Sequence, residues 1–210
     1  MKIYLDFDDT IFDTDGFTKE LIRIFNAAGF TEKDFYDNLA LTKKKVGGFD
    51  LDTIFNYFVA QNEFDARKTR RSIDNIFSNA DVFVHNDLFD FIKEFPKEKL
   101  ALLSLAAPTP FQREKIENSK IVPYFSEIIV TPRNKEESFK EIAREHKGKQ
   151  LFFVEDRADQ IDRVKASTPQ VTAMKIERPS GRYSDIKSEL ADYVVKDLYG
   201  VTDIIKSKVR

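Results

Sequence analysis

The stretch that most constrains this chain is residues 3–13. Ile3-Tyr4-Leu5 is an apolar run without a charge, and it leads straight into Asp6, Asp8 and Asp9, with Thr10 behind them. Such a run reads as a buried central strand. Side chains alternate in direction along a strand, so Asp6 and Asp8 should project to the same side. Two carboxylates at the end of a buried strand repel each other unless a cation sits between or beside them. Mg²⁺ suits that place, being a hard ion often held by only one or two protein carboxylates. The plainer reading is an acidic turn in which Asp8 and Asp9 merely bend and cap the chain.

Composition removes several function classes. Lys and Arg total 34 against 36 Asp and Glu, a formal net charge of −2. That balance gives no electrostatic case for binding nucleic acid or a membrane surface. Cysteine is absent, so disulfides, thiolate metal sites and a cysteine nucleophile are out of reach. No apolar run approaches membrane-spanning length, and the chain opens on a strand rather than a charged-then-apolar leader. The expectation is a soluble cytoplasmic protein, monomeric or dimeric, with neither nucleic acid nor membrane as partner. Its 210 residues can bury a substantial core, and with twenty Phe and no Trp phenylalanine should fill much of it.

Beyond the acidic turn, residues 14–80 carry helical periodicity only. Phe17, Leu21, Ile24 and Phe25 share one face, and Gly29 is placed to end their helix. Thr31 with Asp34 can open a second, shorter helix. Residues 42–48, polar, basic and ending in two glycines, read as a loop. Asp50 or Asp52 can cap a third helix, and a fourth runs from about Asp65 through Ile73, Ile76 and Phe77. Residues 14–80 therefore look like an inserted all-helical unit, with 1–13 and 81–210 forming the body. In the body, strands are expected at 100–105, 127–131, 151–154, 171–176 and 193–195, with helices between them. Asn86 can cap the first of these helices; Thr109, Pro110 and Gln112 supply an N-cap, a first-turn proline and a capping-box glutamine for the second. This alternation argues for an α/β fold with a doubly wound, Rossmann-like parallel sheet.

Ligands of such sheets bind beyond the carboxyl ends of the strands. Four places there carry polar residues in sequence order: Asp6 and Asp8, Ser104, the loop before Lys135, and Glu155 with Asp156. Taken singly, Ser104 could cap a turn, Lys135 could be a solvated first-turn residue and Glu155-Asp156 could cap a helix. Together they resemble the four motifs of the haloacid dehalogenase-like hydrolase superfamily: Asp-x-Asp-x-Thr after a strand, a strand-end Ser, a Lys opening a helix, and a closing acidic pair. The helical insert after the first motif is similar to the cap of phosphoglycolate phosphatase-like and β-phosphoglucomutase-like members. The chain departs from the common pattern in having Glu-Asp rather than Gly-Asp at the fourth motif, and no Lys-Pro pair at the third. Arg133 and Lys140 are therefore alternatives to Lys135. Asp159 is an early match for the last acidic residue, with Gln160 beside it.

The resemblance implies a Mg²⁺-dependent phosphatase acting on a small phosphorylated metabolite. Asp6 would be the nucleophile, Asp8 the acid and base, and Ser104 and Lys135 the phosphate clamp. Asp6, Asp8, Glu155 and Asp156 would bind the metal, Asp8 through its backbone carbonyl. Dehalogenases and phosphonate hydrolases of the superfamily lack an acid at the position of Asp8. A phosphomutase of the β-phosphoglucomutase type, or a noncatalytic phosphate- or protein-binding member, are the alternatives. The lysines at 43–45 are the expected place for cap contacts to substrate.

Overall fold

The structure, a computed structural model, describes every residue except Asn62, Ser180, Arg210 and the side chain of Thr109. Six strands, β1 (Lys2–Leu5), β2 (Leu100–Leu105), β3 (Glu127–Thr131), β4 (Leu151–Glu155), β5 (Thr172–Ile176) and β6 (Tyr193–Val195), form one sheet in the order β3-β2-β1-β4-β5-β6. All five neighbouring pairs are parallel. The order reverses at β1, which lies between β2 and β4 with Leu5 opposite Leu102 and Val154. That switch point opens the crevice in which ligands of doubly wound sheets bind. The expected α/β fold is observed.

The alternation of β1 divides its side chains between two apolar layers. Ile3 and Leu5 face one cluster, and Tyr4 faces the other. The Tyr4 side is covered by α7 (Lys135–Glu145) and α8 (Ala158–Ser167), through Phe139, Ile142, Ile161 and Val164. The opposite cluster takes in α5 (Asp87–Glu94) and α9 (Leu198–Val209). It runs on without a break into Phe17, Phe25, Phe35 and Phe58 of the segment that follows β1. Phenylalanine fills that region as expected: Phe25 and Phe58 stack at 4.3 Å between ring centroids, and Phe30 lies 4.4 Å from Phe58.

The segment after β1 holds four α-helices: α1 (Thr14–Ala27), α2 (Glu32–Val46), α3 (Leu51–Gln61) and α4 (Ala66–Ser78). Thr31 and Asp34 form the anticipated capping box. Asp50, not Asp52, caps α3 by accepting from the Thr53 N–H at 3.0 Å. The reading of 42–48 as a loop is wrong. Residues 42–46 finish α2, and only Gly47, left-handed at φ 84°, and Gly48 lie beyond it. Lysine is a good helix former, and Lys43, Lys44 and Lys45 place positive charge where the helix dipole is negative. The glycine ends a helix rather than belonging to a long loop.

Two cap readings also change in the body. Asn86 precedes α5 without capping it through its side chain. In α6 (Thr109–Asn118) the N-cap position is Pro108, and Gln112 turns away from a capping box toward the sheet; the expected Thr109 cap lies outside the described residues. Among the described residues, no helix is long and apolar enough to cross a membrane.

Candidate active site

The turn after β1 is built to hold two aspartates apart. Asp6 extends the strand by one residue, donating its N–H to the Val154 carbonyl at 2.9 Å. The chain then folds on itself, with the Phe7 carbonyl accepting from the N–H groups of Thr10, Ile11 and Phe12 at 3.4, 3.1 and 3.0 Å. Phe7 and Phe12 stack at 4.7 Å beneath it. Asp9 takes the left-handed conformation at φ 54°, which aspartate tolerates better than most residues.

Asp6 meets Glu155, the last residue of β4, and Asp156 just beyond it; one carboxylate oxygen from each lies within 4.8 Å of the others, and all three residues are buried. Lys135, the first residue of α7, reaches in from beyond the end of β3, two strands from β1. Its ammonium donates to Asp6 Oδ1 and, at 2.5 Å, to Glu155 Oε2. The backbone N–H of Lys135 is capped by Gln160 Oε1 at 3.1 Å. Glu155 Oε1 accepts the Arg157 N–H at 3.0 Å, while Asp156 Oδ2 is buried with no hydrogen-bond partner among the described residues.

The electrostatics follow from burial. Burial first, then Glu155, drives the Asp6 carboxyl up to about 8, against the pull of Lys135. Burial and Glu155 push Asp156 up to about 11. Three buried carboxylates with one lysine are short of positive charge. A hard cation would supply it, and the bare Asp156 Oδ2 is an oxygen ligand in waiting. Asp6, Glu155 and Asp156 thus fit Mg²⁺.

The Asp8 carboxyl stands outside this cluster. Oδ1 accepts from the Thr14 hydroxyl at 2.6 Å and from the Lys115 ammonium at 2.5 Å, and Oδ2 from the Gln112 amide at 2.7 Å. Burial would raise its pKa, but Lys115 and Arg182 outweigh that and hold it at about 2. Gln112 also donates to Ser104 Oγ at 2.9 Å, so a single amide links the strand-end serine to Asp8.

The expected site residues Asp6, Asp8, Ser104, Lys135, Glu155 and Asp156 therefore converge on the carboxyl ends of β1, β2 and β4. Asp8 joins through its contacts with α1 and α6, not as part of the carboxylate cluster. Lys135 has a side chain 1% exposed. Arg133, in the loop before α7, and Lys140, on it, are 77% and 51% exposed and pair with Glu137 and Glu136 of that helix. Asp159 is engaged with Arg157 at 2.8 Å and Gln160 at 2.9 Å rather than with the cluster.

The sequence reading missed Gln112, Lys115, Arg178 and Arg182. The long connection from β5 to β6 carries the two arginines back over the β1 turn: Arg182 Nε donates to Asp9 at 2.6 Å, and Arg178 donates to the Thr10 carbonyl and to Asp87.

No protein-family model matches the sequence, and no curated protein is similar to it. Solved structures are similar in fold. A Burkholderia xenovorans protein described as a haloacid dehalogenase-like hydrolase superposes with a TM-score of 0.75 at 15% identity, over 99% of this chain and 97% of its own. A phosphatase of the same type from Thermococcus onnurineus gives 0.64 at 17% identity over 98% of each chain. The L-2-haloacid dehalogenase of Xanthobacter autotrophicus gives 0.64 at 14% identity, also over 98% of each.

Proposed function

We propose that this chain, whose fold is that of the haloacid dehalogenase-like hydrolases, is a Mg²⁺-dependent phosphatase of small phosphorylated metabolites, with residues 14–80 acting as its cap in the manner of phosphoglycolate phosphatase-like members. The observation that carries the reading is the division of labour between Asp6 and Asp8. One turn presents both, yet Asp6 belongs to the acidic cluster and Asp8 to a set of neutral and cationic donors. A dehalogenase needs the nucleophile alone, whereas a phosphate ester also needs a group that manages protons on the leaving oxygen and on water.

In this reading Asp6 attacks phosphorus and the ester oxygen departs, leaving an aspartyl phosphate. Lys135 neutralises Asp6 and Glu155 in the resting site and binds a nonbridging phosphoryl oxygen with Ser104 during transfer. Asp8 takes up the proton that the phosphate ester monoanion brings and gives it to the departing oxygen; ionised again beside Lys115, it takes the proton of the water that hydrolyses the aspartyl phosphate. Mg²⁺, held by Asp6, Asp156 and Glu155, would neutralise phosphoryl charge and relieve its repulsion with Asp6.

The test is phosphate release from a panel of phosphate monoesters with Mg²⁺, together with Asp6→Asn, which should lose roughly 10⁴-fold or more in turnover while staying folded. Halide release from a 2-haloacid without phosphate release from any ester would sink the reading. So would an Asp6→Asn variant retaining a tenth of the activity.

A further inference from the structure

Lys115 is a charged side chain that is almost wholly buried, and its surroundings are specific. Its ammonium donates to Asp8 Oδ1 and lies over the ring faces of Phe7, Phe12 and Phe111, at 5.2, 5.3 and 5.9 Å from their centroids. Phe7 and Phe12 belong to the β1 turn itself, so the cation is gripped by the same turn whose carboxylate it meets. One helical turn earlier on α6, Gln112 holds the other oxygen of Asp8. The carboxyl is thereby fixed at both oxygens from one helix.

The helix is itself held in place from the insert. Phe111 packs against Phe49 and Phe77 at 5.0 and 5.3 Å. Gly48 sits so close to the Ala107 backbone, just before α6, that a Cβ there would fall 1.5 Å from the carbonyl oxygen. A buried lysine seeking a counterion would need neither the aromatic cradle from the β1 turn nor the matching amide.

We propose that Lys115 is a positioning residue for Asp8, orienting its carboxyl for the leaving-group step. This rests on the phosphatase reading. A misplacement of about 1 Å at a reacting group can cost on the order of 10²-fold in rate. Without Lys115, Asp8 keeps Thr14 on Oδ1 and Gln112 on Oδ2 but loses its one charged donor, so the carboxyl is held less firmly and can shift. The penalty should then depend on how much the leaving oxygen needs a proton.

The experiment compares Lys115→Met with the unmodified protein on an alkyl phosphate and on p-nitrophenyl phosphate, whose leaving group departs without a proton. We expect kcat/KM on the alkyl ester to fall by about 10²-fold, and the penalty on the aryl ester to be at least about tenfold smaller. In an Asp8→Asn background, Lys115→Met should leave the alkyl-to-aryl ratio unchanged, because its effect runs through Asp8. Lys115→Gln, which retains a donor, replaces the Met variant if thermal unfolding shows the latter to be unfolded, and should give a smaller shift of the same sign. Equal losses on both esters, or an undiminished effect in the Asp8→Asn background, would overturn the proposal and leave the phosphatase reading intact. If the unmodified protein releases phosphate from neither ester, both fall.

Discussion

Arg178→Met is the perturbation whose cost can be worked most directly from the contacts. The guanidinium is buried. Nε and Nη2 donate to the Thr10 carbonyl at 3.0 and 2.7 Å, while Nη1 and Nη2 donate to Asp87 Oδ2 and Oδ1 at 2.7 and 3.0 Å. Removing it leaves Asp87, 6% exposed, with the Leu198 N–H at 2.8 Å as its remaining donor. Removing one partner of a buried ion pair costs about 3–5 kcal/mol. The orphaned Thr10 carbonyl is worth about 1–3 kcal/mol, but the two losses share one relaxation and do not add in full. We expect about 3–5 kcal/mol in urea unfolding followed by circular dichroism. At roughly 2–4 °C per kcal/mol for a chain of this size, the melting temperature should fall by about 6–20 °C. Adding Asp87→Leu should recover part of the loss, since a buried pair replaced by apolar side chains often costs little. A loss below about 1 kcal/mol with an unchanged denaturant slope would show that the guanidinium is not holding the β1 turn.

The other expectations concern the site and the pH response. Lys135→Ala should cost about 10²–10³-fold in turnover on a phosphate ester, whereas Arg133→Ala and Lys140→Ala should stay near the unmodified protein; steady-state kinetics on the three in parallel decides which cation clamps phosphate. Mg²⁺ should raise the melting temperature of the unmodified protein, and go on raising it with the logarithm of its concentration above Kd, and Asp156→Asn should abolish that rise; an equal rise in both would place the ion elsewhere. His85 is depressed by burial and by Arg178, and its Nε2 has no partner among the described residues, so the unfolded chain binds its proton more readily than the folded one. Its contribution is fully present above the unfolded value of about 6.5. It is lost as pH falls through and below that value, at a slope of up to about 1.4 kcal/mol per pH unit. Urea midpoints at pH 7.5 and 5.5 should drop further for the unmodified protein than for His85→Gln, and parallel drops would refute the assignment.

Much of the fold was legible because its signals are local. The strands are apolar runs bounded by polar breaks, and β1 was readable both as a strand and as central because its run carries no charge. Thr31 with Asp34 closes its capping box within four residues, so no distant contact could intervene. Readings failed where a local signal met a competing one. The lysines before Gly47 were read by their charge, although their helix propensity and the dipole at the end of α2 were the stronger physical facts. Gln112 had the right spacing for a capping box, but a half-buried carboxylate and a buried serine offered its amide better partners than a solvated helix end.

The site divides the same way. Asp6, Asp8, Ser104 and the Glu155-Asp156 pair are fixed by their position at strand ends, which sequence shows. Lys135 was one of three cations by composition, yet its phase singles it out. It shares a buried face with Phe139 and Ile142 at i, i+4 and i+7, a stripe from which Lys140 is absent. The same reasoning applied to α6 exposes what was overlooked. Among its described side chains the buried positions are 112, 115 and 116, and the C-cap Ser119 continues the stripe, which reads Gln-Lys-Ile-Ser. A helix that turns a lysine and a glutamine toward the core must find them partners, because an unpaired buried charge is too costly to keep. Those partners lie more than a hundred residues away in the β1 turn, at Asp8. A polar stripe in the phase where apolar residues belong is therefore itself a sign of a site, and here it leads from α6 to the Asp8 carboxylate in the β1 turn.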